Sequence, residues 1–301
     1  MGVQYTIVVA IFLIVANFGV SLDVYLREYL YLFFLALSAL TGSIGGFMSG
    51  RLYKFFNGTK WKRHSALTIM AVPVFAISLL ASMTIAEGME LNRFGVRKKT
   101  EFDKVYLVWA LFDMPNVAIG CWLGYRADKF EVPVKPTRLG RSVPTLIQTP
   151  CYAQGWFTLS LGSILISGCV ISEAYYLVTS LWRHHYYFMY VYLTICAIVM
   201  AYVASTVSVV QTYAVLSVGN YHWWWRSFIL GFAVGVHVFA VCSYFFFFVE
   251  TDSSFSLKLS YALWTIMLCT LTGLVAGACS FIGSWYFVKQ IYTKAQAQKA
   301  K

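Results

Sequence analysis

The chain has 301 residues, 59% of them hydrophobic and 12% charged, with a mean hydropathy of +0.67. That composition excludes a water-soluble globular domain and points to a multispanning helical membrane protein. The net charge of +11 is no sign of nucleic acid, because the basic residues lie mostly in short connections between apolar runs, where they set orientation and meet anionic lipid.

In chain order, eight apolar stretches are long enough to cross a hydrocarbon core of about 30 Å as helices. They cover residues 5–22, 29–50, 66–86, 105–125, 153–177, 186–211, 227–249 and 259–287. The runs are continuous rather than alternating, which argues against a membrane barrel. The expected fold is therefore all-α, a polytopic membrane helix bundle of about eight transmembrane helices, forming one integral membrane domain over residues 1–301. The first stretch lacks a basic leader and a small-residue cleavage site, so it reads as a span rather than a signal peptide. With an even number of spans both termini share one side. Placing them in the cytosol puts fifteen Lys and Arg residues on that side and eight on the other, the bias expected of cytosolic loops. The cytosolic loops then fall near 51–65, 126–152 and 212–226, and a lumenal loop near 87–104. The 126–152 segment holds Pro133, Pro136, Pro144 and Pro150, and proline at that density favours an extended strand of chain along the membrane face.

Small residues recur four apart within the spans. Ser38, Gly42, Gly46 and Gly50 do so in the second, Gly231 and Gly235 in the seventh, and Gly273 and Gly277 in the eighth, followed by Ser280 and Ser284. This spacing puts them on one helical face, where backbones approach closely. Such a face serves either packing within the bundle or a groove for the helix of a client membrane protein, and the spacing fits both. Ionisable groups at membrane depth are rarer and costlier. Glu173, Asp113 and His237 qualify, and Asn116 stands beside Pro115, whose missing N–H frees a carbonyl. Together they form a candidate intramembrane polar site, although each also fits a buried structural role. His184-His185 lack a third ligand at metal spacing. The seven cysteines form no CxxC pair and read as small packing residues. No GxSxG, HExxH or P-loop string is present, so neither enzyme activity, a metal nor a cofactor is expected.

Between the sixth and seventh stretches lies Asn220-Tyr-His-Trp-Trp-Trp-Arg-Ser-Phe228. Indole rings favour the headgroup layer and a guanidinium reaches phosphates, so Tyr221, Trp223, Trp224, Trp225 and Arg226 read as an interfacial anchor. The block also resembles a tyrosine–x–triple-tryptophan–arginine string of the nonaspanins, the transmembrane 9 superfamily of endomembrane protein 70 type. Met1-Gly2-Val3-Gln4 resembles that family's Gly–x–Gly–x–Gln entrance to its second span. Gly45 to Lys54 is similar to its Gly-Tyr-x-Ser-Ala-Arg-Leu-Tyr-Lys segment, and Asn57 to Lys62 to the Gly-Thr-x-Trp-Lys that follows. Glu173 falls where the family has the glutamate of Phe-Ile-Glu-Leu-Tyr, and Val288 to Tyr292 resembles its closing Val-Arg-Lys-Ile-Tyr. The agreement runs in order along the whole chain.

The resemblance implies a non-enzymatic protein of Golgi or endosomal membranes that assists sorting and localisation of other membrane proteins, especially those with glycine-rich spans. Its partners would be membrane lipids and client membrane proteins. The resemblance also implies that the chain begins at the family's second span, without the N-terminal lumenal domain and first span. Family members commonly end in lysine, any residue, then an acidic residue, a coat-protein signal. Here the tail is Gln298-Lys299-Ala300-Lys301, so the coat-protein contact implied for the C-terminal tail lacks its acidic residue. Asp113 replaces a small polar residue, so no role is carried over to it. The alternative, motivated by the intramembrane polar residues, is a secondary transporter or channel for a small solute, proton or lipid.

Asn57-Gly58-Thr59 is an N-glycosylation sequon in the 51–65 loop, which the charge bias places in the cytosol. Asn57 is therefore expected to stay unmodified. Gel mobility unchanged by glycosidase treatment agrees with that topology; a glycan on Asn57 reverses it.

Overall fold

A computed structural model describes residues 1–19, 26–71, 73–75, 102–128, 130, 155–182, 186–220, 222–249 and 255–299. Among these residues the regular structure is helical, with no strand. The helices are α1 (Gly2–Gly19), α2 (Leu26–Phe55), α3 (residues 61–71), α4 (Phe102–Arg126), α5 (Gly155–Trp182), α6 (Tyr186–Ser217), α7 (Trp224–Val249) and α8 (Phe255–Lys299). Four of them contain segments long and apolar enough to cross a membrane: Leu32–Phe55, Tyr190–Ser217, Trp224–Tyr244 and Tyr261–Ala295. Gly2–Phe18 and Gly155–Ile171 are shorter apolar helices. The chain is thus a helical membrane protein. Most of the proline-rich loop, the 87–101 part of the lumenal loop and the His184-His185 turn lie outside the described residues.

Several helices outlast the apolar stretches that announce them. α2 continues through Phe55, α6 through Ser217, and α8 is 45 residues long, about 68 Å at 1.5 Å per residue. Hydropathy marks where a helix leaves hydrocarbon, whereas capping decides where it ends. α2 and α6 both end in the same device. At α2 the Asn57 N–H donates to the Lys54 carbonyl and the Gly58 N–H to the Tyr53 carbonyl, with Asn57 at φ 56°. At α6 the Gly219 N–H donates to Leu216 and the Asn220 N–H to Val215, with Gly219 at φ +79°. Both are Schellman caps, which need a left-handed residue that only Gly, or less readily Asn, adopts cheaply.

The chain divides into two compact units, residues 1–129 with 238–271, and residues 130–237 with 272–301. In the first unit α1 runs antiparallel to α2, joined by Gln4 Nε2 donating to the Ser38 carbonyl at 2.9 Å and an edge-to-face Phe12–Phe34 pair at 5.5 Å. α2 and α4 run parallel. Their seam is built from glycines on both sides: a methyl at Gly46 would meet the Val117 carbonyl, one at Gly120 the Ser43 carbonyl and one at Gly124 the Phe47 carbonyl. At Gly50 it would lie 2.7 Å from the Cys121 carbonyl. The backbones therefore touch where any side chain would hold them apart.

The second unit uses glycine between α7 and α8 and hydroxyls between α6 and α8. A methyl at Gly231 would meet the Ala276 carbonyl, and one at Gly277 would lie 3.0 Å from the Phe228 carbonyl. Ser208 Oγ donates to the Ser280 carbonyl at 2.7 Å, Thr212 Oγ1 to Ser284 Oγ at 2.8 Å, and Ser284 Oγ lies 3.2 Å from the Ser208 carbonyl. Interhelical hydroxyl bonds of this kind contribute on the order of 0.6 kcal/mol each in a bilayer. α5 joins α6 antiparallel, with Gln211 Nε2 3.3 Å from Thr158 Oγ1.

At one end of the first unit, basic residues of α2 close α4. Lys54 Nζ donates to the Ala127 carbonyl at 2.8 Å and Arg51 Nε to the Asp128 carbonyl at 3.1 Å, cations on carbonyls that a helix C-terminus leaves unpaired. Trp61 stacks on Tyr125 at 4.9 Å, and His64 stacks on Tyr53 at 4.3 Å with Nε2 2.9 Å from Ser49 Oγ. Burial lowers the His64 pKa from its usual 6.5, against the opposing effect of a hydrogen bond to the Ser49 backbone.

Two outcomes follow from these contacts. Gly46→Ala should destabilise the bundle by about 1–3 kcal/mol through backbone overpacking. Gly168→Ala, with nothing within 4 Å of the added methyl, should be neutral or slightly stabilising; thermal unfolding in detergent separates the two. For His64 the folded state disfavours the proton. Its contribution is therefore complete above the unfolded pKa near 6.5 and is lost as pH falls below it. The midpoint of thermal unfolding should drop between pH 7.5 and 5.5, and His64→Gln should flatten that dependence.

Candidate intramembrane polar site

α1, α2 and α4 bring a group of polar side chains into the interior of the first unit. Gln4, Ser38, Thr41 and Asp113 are buried there. Trp109 Nε1 donates to Ser38 Oγ at 2.8 Å, and Ser38 Oγ in turn donates to the Leu35 carbonyl at 2.8 Å. Asn116 Nδ2 donates to the Ala39 carbonyl at 3.1 Å. These bonds pin α4 and α1 to the same stretch of α2, at the level of Ser38 and Ala39. Two acceptors in the group are left without a partner, Oε1 of Gln4 and Oδ1 of Asp113.

Beside this group a lateral crevice of about 340 Å³ opens between α2 and α4, lined by Leu35, Ala36, Ala39, Leu40, Trp109, Phe112 and Asn116. Leu40 and Phe112, 70% and 59% exposed, form its outward walls, and Asn116 supplies its one amide. The polar content of the crevice follows from helical spacing: Phe112 and Asn116 are four apart on α4, as are Ala36 and Leu40 on α2, so each pair shares a face.

The residues singled out in the sequence separate accordingly. Asp113 and Asn116 belong to the cluster. His237 lies on α7 in the second unit, with Nδ1 unpartnered. Glu173 is on α5, but its side chain lies outside the described residues. Gly42, Gly46 and Gly50 face α4, and Gly273 and Gly277 face Phe232 and Phe228 of α7; these faces are occupied within the chain, so a client helix would have to displace a neighbour. Gln4, Ser38 as a bonding partner and Trp109 complete a site that the sequence reading, which grouped Asp113 and Asn116 with Glu173 and His237, did not assemble. The signal was available in Gln4, a polar residue within an apolar run.

The tryptophan block opens α7. Trp223 stacks on Phe281 at 6.0 Å and lies 6.3 Å from Trp285, both on α8, whereas Trp225 is 66% exposed. One indole thus packs within the unit while another faces outward, as an interfacial ring does. The Arg226 guanidinium lies over Gly155, 3.5 Å from a methyl placed there. Tyr221 lies outside the described residues.

The endomembrane protein 70 family model matches residues 1–255. Transmembrane 9 superfamily member 10 of Arabidopsis thaliana is 27% identical over 262 residues, covering 87% of this chain and 40% of the relative. Member 2 of Rattus norvegicus is 26% identical over 261 residues, covering 85% and 38%. Member 4 of Arabidopsis thaliana is 28% identical over 306 residues, covering 98% and 49%. The chain therefore spans less than half the length of these curated relatives. No solved structure matches. With the family model covering most of the chain, and the tryptophan block and the Gly45–Lys54 segment lying inside the matched region, the chain belongs to the endomembrane protein 70 family, the transmembrane 9 superfamily.

Proposed function

We propose that this protein is a non-enzymatic sorting factor of Golgi or endosomal membranes that holds other membrane proteins by their spans. The observation that carries the reading is the lateral crevice between α2 and α4, apolar on its walls and with the Asn116 amide at hand. A span rich in glycine or carrying a lone polar residue is poorly solvated by lipid. A crevice of this kind offers it contact area and one hydrogen-bonding group. The glycine faces support the reading indirectly, by holding α2 and α4 close enough to form a rigid wall. In this reading the bundle has about eight spans with cytosolic termini, and the Lys289–Lys301 end lies where coat proteins could meet it.

The second reading, a transporter or channel, is favoured by one observation, the buried and unpaired oxygens of Asp113 and Gln4. One experiment separates the two. The surface proteome of cells lacking the protein should lose several membrane proteins with glycine-rich spans at unchanged transcript levels. Re-expression of Ala36→Trp, which fills the crevice, should fail to restore them where wild type succeeds. Full restoration by Ala36→Trp moves client recognition elsewhere on the molecule. An unchanged surface proteome in the cells lacking the protein favours transport, to be followed by flux measurements in vesicles.

A further inference from the structure

The polar cluster of the first unit has an imbalance of hydrogens. Oδ1 of Asp113 and Oε1 of Gln4 are both buried and both without a donor, on residues that are each 1% exposed. Both press on the same face of α2. A methyl at Gly42 would lie 2.9 Å from Asp113 Oδ1, and one at Gly45 would lie 2.5 Å from Gln4 Oε1. Positions three apart on a helix are neighbours, about 5–6 Å between Cβ atoms, and the Gln4 carboxamide lies next to the Asp113 carboxyl. The Gln4 amide is oriented by its own bond to the Ser38 carbonyl, so its oxygen cannot exchange places with its nitrogen without losing that bond.

Two acceptors side by side with no donor are unfavourable in an apolar interior, and an unpaired carboxylate there is far more so. One hydrogen resolves both. A protonated carboxyl has an O–H to give, and an amide oxygen is the acceptor it needs. A metal cation is a poorer fit, because ions such as calcium take six to eight oxygens and the cluster has two to spare.

We propose that Asp113 is a proton-binding site, taking up as the pH falls below neutral one proton that it donates to Oε1 of Gln4 across the α1–α2–α4 seam. The groups facing it are few. From α1 these are Tyr5 and the Met1 amino group; from α2, Gly42; and on α4 itself Cys121 faces the same amino group. Among the described residues no ion pair involves Asp113. Loss of the proton leaves a charge at the seam and removes the bond from Asp113 to Gln4, one helical turn from Asn116 and the crevice. The site thus makes one contact between α1 and α4 conditional on a proton. The inference does not depend on the sorting reading.

The test is infrared spectroscopy of the full chain in lipid nanodiscs with isotope-labelled aspartate. At pH 5 the C=O stretch of a protonated carboxylic acid is expected, and Asp113→Asn should abolish it. Gln4→Leu should keep the band but move it to higher frequency, because the hydrogen bond to Oε1 is gone. A carboxylate signal alone at pH 5, or a band removed by sodium or potassium, overturns the proposal. If Asp113→Asn does not fold, Gln4→Leu still decides, since a band that does not move excludes a shared proton.

Discussion

Backbone contact between α2 and α4 is the constraint on which the first unit rests. In lipid there is no hydrophobic gain from bringing two apolar helices together, so association depends on dispersion contact and on polar groups that lipid cannot satisfy. Gly46, Gly120 and Gly124 leave no room even for a methyl against the facing carbonyls. That closeness gives the parallel pair its contact area. It also fixes where everything else lies: α1 lies against the same stretch of α2, the crevice opens on the outer side of the seam, and Asn116 and Trp109 reach α2 because α4 lies so near.

The same closeness explains why polar atoms are tolerated at this depth. Ser38 serves three elements at once. Its carbonyl accepts from Gln4 of α1, and its hydroxyl accepts from Trp109 of α4 while donating back within α2. A network joined this way holds its members in one arrangement. Asp113 and Gln4 are the part of that network whose donors and acceptors do not balance. The second unit meets the same problem differently. Between α6 and α8 serine and threonine hydroxyls bond across to carbonyls and to one another, so the small residues there both permit approach and supply the bonds.

The membrane-facing features follow from local chemistry. Helices end where Asn57 and Gly219 take up left-handed backbone, beyond the apolar cores that the hydropathy marks. The basic residues that bias orientation also cap the carbonyls at the end of α4. Charge placement that reads in the sequence as a topogenic signal is therefore also a structural contact.

The sequence by itself determined the class of molecule and its family. Long apolar runs admit only helices in a bilayer, because every backbone N–H and C=O must be paired within the segment, and the motif blocks around Gly45–Lys54 and Tyr221–Arg226 carry family membership without reference to packing. The four-residue glycine spacing announced close helix contacts. It did not say which helices would meet, because spacing fixes a face and not its partner. That choice belongs to tertiary structure, which set Gly42, Gly46 and Gly50 against α4 and Gly277 against α7. Likewise, intramembrane charge marked Asp113 as unusual. Only the fold could bring Gln4, 109 residues earlier in the chain, to its side, because long-range proximity is decided by how faces pair and not by the order of residues.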